Sequence, residues 1–350
     1  MKTSIFILSF LFLFSTANAQ WQKQDVKTDA SFRGLDVVSE KIVWASGTGG
    51  TVIRSTDGGE NWDVIKVPGA EKLDFRDIEA FDANTAYILS IGNGESSRIY
   101  KTTDGGKNWV LQFTNKVEAA FFDSIAFWDK NNGMAQSDPV DGKYYLVATK
   151  DGGKTWTKVD TGKMAPAKEG EAAFAASGTS LITHGKNDVY IVSGGNDARV
   201  FRSNNRGLTW FVSDTPITKG TPGSGIFGIA MRDKNNGVIV GGNYEKPDEA
   251  VNNLAFTKDG GKTWTAGKGL SGYRSGVWLL EDQYMVVVGT NGIDISFDGA
   301  EWTQESKESL NSVDGFVEQY NKEASTWLAT IWAVGPKGMV LKKGIGQVVK

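Results

Sequence analysis

An eight-residue pattern recurs along this chain, and it constrains the fold more than any other feature. Ser55-Thr-Asp-Gly-Gly-Glu-Asn-Trp62 returns with the form [ST]-x-D-G-G-x-[TN]-W at residues 102–109, 149–156 and 257–264. A variant with Asn205 in the Asp position spans 203–210, and a copy one residue shorter spans 296–302. The tryptophans closing these motifs stand 47, 47, 54, 54 and 38 residues apart. A turn motif repeating at that period predicts an array of small antiparallel sheets rather than one continuous core.

Each repeat shows one grammar. An alternating apolar stretch such as 32–38 is followed by a turn rich in Asp, Asn and Gly, for example Asp129-Lys-Asn-Asn-Gly133. A β-rich run, a glycine-containing connection and a third strand ending in the motif's Ser or Thr complete the approach. The tryptophan then opens a fourth strand. Four short strands per repeat make a propeller blade. Opening strands are expected near Phe32, Phe75, Phe122, Ala173, Ile226, Tyr273 and Phe316, which predicts an all-β, seven-bladed propeller over residues 20–350. The last repeat ends without a motif or a fourth strand, whereas Trp21-Gln-Lys-Gln-Asp-Val26 stands alone at the other end. This N-terminal segment is expected to complete the last blade and leave no open sheet edge at the junction.

Residues 1–19 read as a secretory leader. Lys2 precedes an apolar run, and Ala17-Asn18-Ala19 supplies small residues before a cut at Gln20. The expected location is therefore secreted or periplasmic, without a transmembrane anchor. There is no cysteine, so neither disulfides nor a lipid-modified cysteine enter the argument. With 38 basic and 41 acidic residues the chain offers no support for nucleic-acid binding.

The motif aspartates Asp57, Asp104, Asp151, Asp259 and Asp298 are expected to be structural. An Asp can accept hydrogen bonds from its own turn, and the following glycines permit positive φ. Copies spread round a ring cannot converge on one substrate. A single histidine, His184, and the lack of cysteine argue against a metal site, and His184 sits beside an Asn-Asp turn as a structural residue would. Gly49-Gly50 and Gly194-Gly195 lie between strands rather than before helices, so no nucleotide loop and no cofactor are expected.

These motifs resemble the Asp-box, or BNR, repeats of sialidases and of many propellers without known activity. Ser31-Phe-Arg-Gly-Leu35 and Val43-Trp-Ala-Ser-Gly-Thr-Gly-Gly-Thr-Val52, with the tandem boxes, make the chain similar to the photosystem II stability and assembly factor family. That resemblance implies a seven-bladed propeller. Bacterial members of the group often carry oxidoreductase or glycosyl hydrolase labels, but the Phe/Tyr-Arg-Ile-Pro signature of sialidases is missing; Phe32-Arg33-Gly34 comes nearest.

Three opening strands carry an aromatic-Arg pair, which places Arg33, Arg76 and Arg274 at one mouth of the channel. Loops expected on the same face bring Asp138, Asn196 and Tyr244 with Glu245; Asp123, Glu169 and Glu171 lie in or before opening strands. Two arrangements are open. Each arginine pairs with a neighbouring blade's carboxylate and braces the ring, or the three surround an anionic group of a small molecule, a glycan or a protein segment. The expected function is an exported ligand-binding or protein-assembly module using Arg33, Arg76, Arg274, Tyr244 and Asn196. The alternative is a glycoside hydrolase or lyase using two of Asp123, Asp138, Glu169, Glu171 and Glu245, a reading that paired carboxylates about 5–9 Å apart would favour. An oxidoreductase is a weaker alternative that rests on family labels alone.

Overall fold

The computed structural model describes residues 20–280, 284–321 and 326–348. The leader, residues 1–19, lies outside them. Seven sheets form a propeller. The first blade is Phe32–Val37, Val43–Gly47, Thr51–Ser55 and Asp63–Lys66, each strand antiparallel to the next. The second is built alike from Phe75–Ala80, Ala86–Ser90, Arg98–Thr102 and Val110–Thr114, and the third begins at Phe122–Asp129. Middle strands are apolar on both faces: Val43–Gly47 and Ala86–Ser90 are buried at every residue, because blades pack against both sides. The fourth strands lie outermost, and Asp63–Lys66 is largely exposed.

Hydrophobic clusters fill the spaces between blades. Trp332, from the last blade, packs with Phe32, Ile53 and Trp62 of the first. Trp44 packs with Phe75, Ile88 and Tyr100 of the second. Both indoles have no exposed surface. Burying about 150–250 Å² per ring at roughly 25 cal/mol per Å² stabilises by ~4–6 kcal/mol each before conformational entropy is subtracted.

The ring closes as the sequence predicts. Gln22 pairs with Lys342 and Lys23 with Leu341, so the N-terminal strand becomes the fourth of the last blade, beside Val340–Val348, Thr326–Val334 and Ser312–Asn321. Gln24 N–H extends the ladder to the Val340 carbonyl at 2.9 Å.

The fourth blade departs from expectation. Its opening strand is Leu181–His184, not a strand near Ala173. Glu171–Ala172 instead pairs with Gly194–Gly195, which bridges to Gly225 of the fifth blade and extends that sheet to six strands. The sixth blade likewise opens at Gly276–Leu279, just after Tyr273. Residues 175–180, Ala-Ala-Ser-Gly-Thr-Ser, fill the channel, because their side chains are small enough to lie among the inner strands. Ser177 Oγ donates to the Ser275 carbonyl at 2.7 Å, and Ser312 Oγ donates to the Ser177 carbonyl at 3.1 Å. Ser124 Oγ donates to the Gly178 carbonyl at 3.1 Å, and Ile229 N–H to the Thr179 carbonyl at 3.1 Å. Thus the third, fifth, sixth and seventh blades all bond to one short segment.

Candidate functional site at the channel mouth

The boxes and the arginines occupy opposite ends of the blades. Box turns bond to the turn joining the first two strands: Gly58 N–H donates to the Lys41 carbonyl, Gly105 N–H to Asn84, Gly152 N–H to Asn131, Arg206 N–H to Asn187 and Gly260 N–H to Asn235. The opening ends of the first strands, and the loops joining second to third strands, lie at the other face.

Within a box the Asp serves its own turn. Asp151 accepts from Thr149 Oγ1 at 2.9 Å, Thr155 N–H at 2.9 Å and Thr155 Oγ1 at 2.7 Å. The Thr155 amide and hydroxyl hold its carboxyl down at about 2. Asp57 and Asp104 repeat the pattern with Asn61 and Asn108. Asp259 does so with Thr263. Asp298, in the shorter box, accepts from Ala300 and Glu301 amides. Their lone pairs are directed into the protein's own turns.

At the arginine face, two of the three arginines converge on the channel segment. Arg33 Nη1 donates to the Ala176 carbonyl at 3.1 Å and Arg76 Nη1 to the Ala175 carbonyl at 3.3 Å. Arg76 also holds Asp74 through Nε at 2.8 Å. Arg33 has no carboxylate within ion-pair distance among the described residues. Burial and the neighbouring Arg76 charge both lower its pKa, so its positive charge lacks full compensation.

Arg274 corrects the expectation of three convergent arginines. It is fully buried within its own blade, where Nε and Nη2 bind Asp294 at 3.0 and 2.6 Å. Ser271, Asn291 and the Tyr273 carbonyl take its other donors. The sixth blade's shorter opening strand turns this side chain away from the other two. An aromatic-Arg dipeptide cannot report that difference, because it depends on which residue enters the ladder first.

The acids also separate into different roles. Glu171 is buried and gripped by Arg199, with Ser193 Oγ at 2.5 Å and Lys168 N–H at 2.8 Å. It anchors the start of the channel segment and has no free oxygen for catalysis. Glu169 and Glu245 are exposed. Asn196 Nδ2 donates to the Glu169 carbonyl at 3.1 Å and so stiffens the loop. Asp123 and Asp138 are neighbours. Burial, and then the Asp138 charge, push Asp123 well above the usual carboxylate range, with Arg76 opposing. Burial raises Asp138 to about 6, although the Ala173 N–H at 2.7 Å favours its ionised form. One Asp123 oxygen, Oδ2, is buried without a hydrogen-bond partner.

Sequence reading missed an aromatic ledge beside the arginines. Phe174 stacks on Phe227 with ring centroids 4.0 Å apart and planes 9° apart. Tyr244 meets both rings edge-on and is 48% exposed. Tyr273 meets Phe227 edge-on at 4.7 Å. The signal for this ledge was the pair of bare glycines: a Cβ on Gly194 would lie 2.1 Å from the Phe174 ring and 2.8 Å from the Ser224 carbonyl oxygen. The glycines make room for Phe174 to cross two backbones.

Residues 13–118 match the family described as photosynthesis system II assembly factor YCF48. The chain is a seven-bladed propeller resembling that family. Among solved structures, YCF48 bound to D1 peptide aligns with TM-score 0.63 and 17% identity, covering 94% of this chain and 97% of the other. YCF48 from Cyanidioschyzon merolae aligns with TM-score 0.64 and 18% identity, covering 93% and 99%. The WD40 propeller domain of Doa1 aligns at 0.59 with 14% identity, covering 93% and 97%. At such identities the likeness is one of fold. No curated protein matches the chain by sequence.

Proposed function

We propose that this propeller is an exported module that binds an extended protein segment bearing a carboxylate at the channel mouth. The observation that carries this reading is Arg33: a half-buried guanidinium held only by a backbone carbonyl, beside a second arginine. A carboxylate there would gain charge-assisted hydrogen bonds and relieve the repulsion between the two cations. Tyr244 and Phe174, backed by the buried Phe227 ring, would take an adjacent apolar side chain. The YCF48 structure with a bound D1 peptide supports the choice of a protein segment over a free anion.

The test is fluorescence anisotropy with a labelled peptide library, comparing free and amidated C-termini. Peptides with a free carboxylate and an aromatic or aliphatic residue nearby should bind, and amidation should weaken them by about tenfold or more. Arg33→Ala should do the same without a change in melting temperature. Equal binding of free and amidated peptides would refute the role of Arg33. Export is tested separately, by sequencing the mature N-terminus of the secreted protein, which should begin at Gln20.

A glycosidase reading has one observation in its favour, the protonatable Asp138 beside Asp123. Glycoside turnover lost in Asp138→Asn would establish it in place of the binding module.

A further inference from the structure

The strand that closes the ring begins beside the proposed leader cut. Gln22 and Lys23 stand in the ladder opposite Lys342 and Leu341, and Gln24 N–H reaches the Val340 carbonyl. Trp21 packs against the cluster of Leu310, Ile331 and Leu341 between the sixth and seventh blades, and its Nε1 donates to Glu305 at 3.0 Å. Gln20 is the first residue outside these contacts. It is exposed, and its side chain makes no hydrogen bond among the described residues.

The charges around Gln20 disfavour a further cation. With Lys23, Glu305, Glu308 and Lys343 it lines a cavity of about 450 Å³. Glu305 is already committed: both its oxygens accept from the buried Lys343 Nζ at 2.6 Å, and one accepts from Trp21 as well. Glu308 is exposed, where water screens an ion pair. An α-ammonium on residue 20 would therefore join Lys23 and Lys343 without a dedicated partner, whereas a neutral end adds no charge to offset.

We infer that Gln20 is a modification site, carried in the mature chain as pyroglutamate. The inference rests on the export reading, because only a cut before Gln20 gives that residue a free α-amine. The unprotonated amine attacks Cδ of its own side chain. The N–Cδ bond forms, the Cδ–Nε2 bond breaks, and ammonia leaves with a proton from the amine. Nothing is oxidised or reduced and no co-reactant enters. The product is an uncharged lactam built from the atoms of Gln20 alone, which the ladder leaves free to fold back. Its consequence belongs to the fold. Aminopeptidases that grip a free amine would erode the chain from the end that closes the ring, and the lactam denies them that group.

The test is mass spectrometry of the chain exported from the full precursor, first intact and then as its N-terminal tryptic peptide Gln20–Lys23. The expected terminus is residue 20, lighter by one ammonia than an open glutamine. A Gln20 terminus that keeps its amine overturns the inference alone. A terminus at any other residue overturns the cut before Gln20 and the inference with it. Gln20→Ser, exported in the same way, cannot form the lactam. Incubated with an aminopeptidase of broad specificity, that variant should lose residues from position 20 onward and melt several degrees lower, while the wild type keeps its length and melting temperature. Equal trimming of the two would overturn the protective role.

Discussion

At the residue scale, the box is a hydrogen-bonding device whose chemistry tolerates amide for carboxylate. Asn205 Oδ1 accepts from Ser203 Oγ and Thr209 N–H, each at 2.9 Å, as an aspartate would. Its Nδ2 then donates to Thr209 Oγ1 at 2.8 Å, reversing the direction found at Thr155 and Thr263. Asn205→Asp would let Thr209 donate to a charged acceptor, and charge-assisted bonds are the stronger kind. The variant should melt about 1–3 °C higher in a calorimetric scan. A lower melting temperature would mean that the neutral amide is required at that turn.

Between elements, the same logic appears as clasps that join one opening strand to the next. Asp314 of the last blade accepts from Val37 N–H of the first at 2.7 Å. Asp36 accepts from Ala80 N–H of the second at 2.6 Å, and Asp77 from Ile125 N–H of the third at 2.7 Å. These clasps hold the inner ends of the blades, while the N-terminal strand closes the outer edge. Lys343 binds Glu305 at 2.6 Å beside that strand, and Trp21 Nε1 reaches the same carboxylate at 3.0 Å. Removing residues 20–28 would expose the backbone donors and acceptors of Val340–Lys342 and the apolar side chains that Trp21 and Val26 cover. The truncated protein should melt several degrees lower, or run as oligomers in size-exclusion chromatography. A monomer of unchanged stability would show that the ring closes without this strand.

For the molecule as a whole, the channel concentrates acids away from bulk solvent. Burial raises Asp36 to about 7, and burial together with the Asp36 charge raises Asp314 to about 8. Asp77 and Glu79 are raised too, by burial first and then by their acidic neighbours. No cation is among the causes acting on these four groups. Each folded-state value exceeds the unfolded one, so the folded protein binds more protons over the interval between them. Stability therefore falls as pH rises from about 4 to about 8 through these groups. Denaturation at a series of pH values should show this slope, and Asp314→Asn should flatten it. A wild-type profile rising over that interval would show that these acids ionise without strain.

The number of blades, the box turns and the strand that closes the ring could all be read from the chain, because they rest on local chemistry repeated many times. A turn that needs Asp, two glycines and a Trp leaves its signature within eight residues, and each copy checks the others. The orphan strand at 21–26 was legible for the same reason: the last repeat lacked what the first segment had. Convergence of side chains was not legible. Arg33, Arg76 and Arg274 share a sequence context, yet only the first two meet, because residues 173–180 leave the sheet and offer them the Ala176 and Ala175 carbonyls. Arg274 finds Asp294 inside its own blade instead. The Phe174 ledge likewise exists only between blades. Repetition encodes what each blade must do for itself; the ring decides which side chains from distant blades share one volume, since that depends on how seven sheets pack around a common axis.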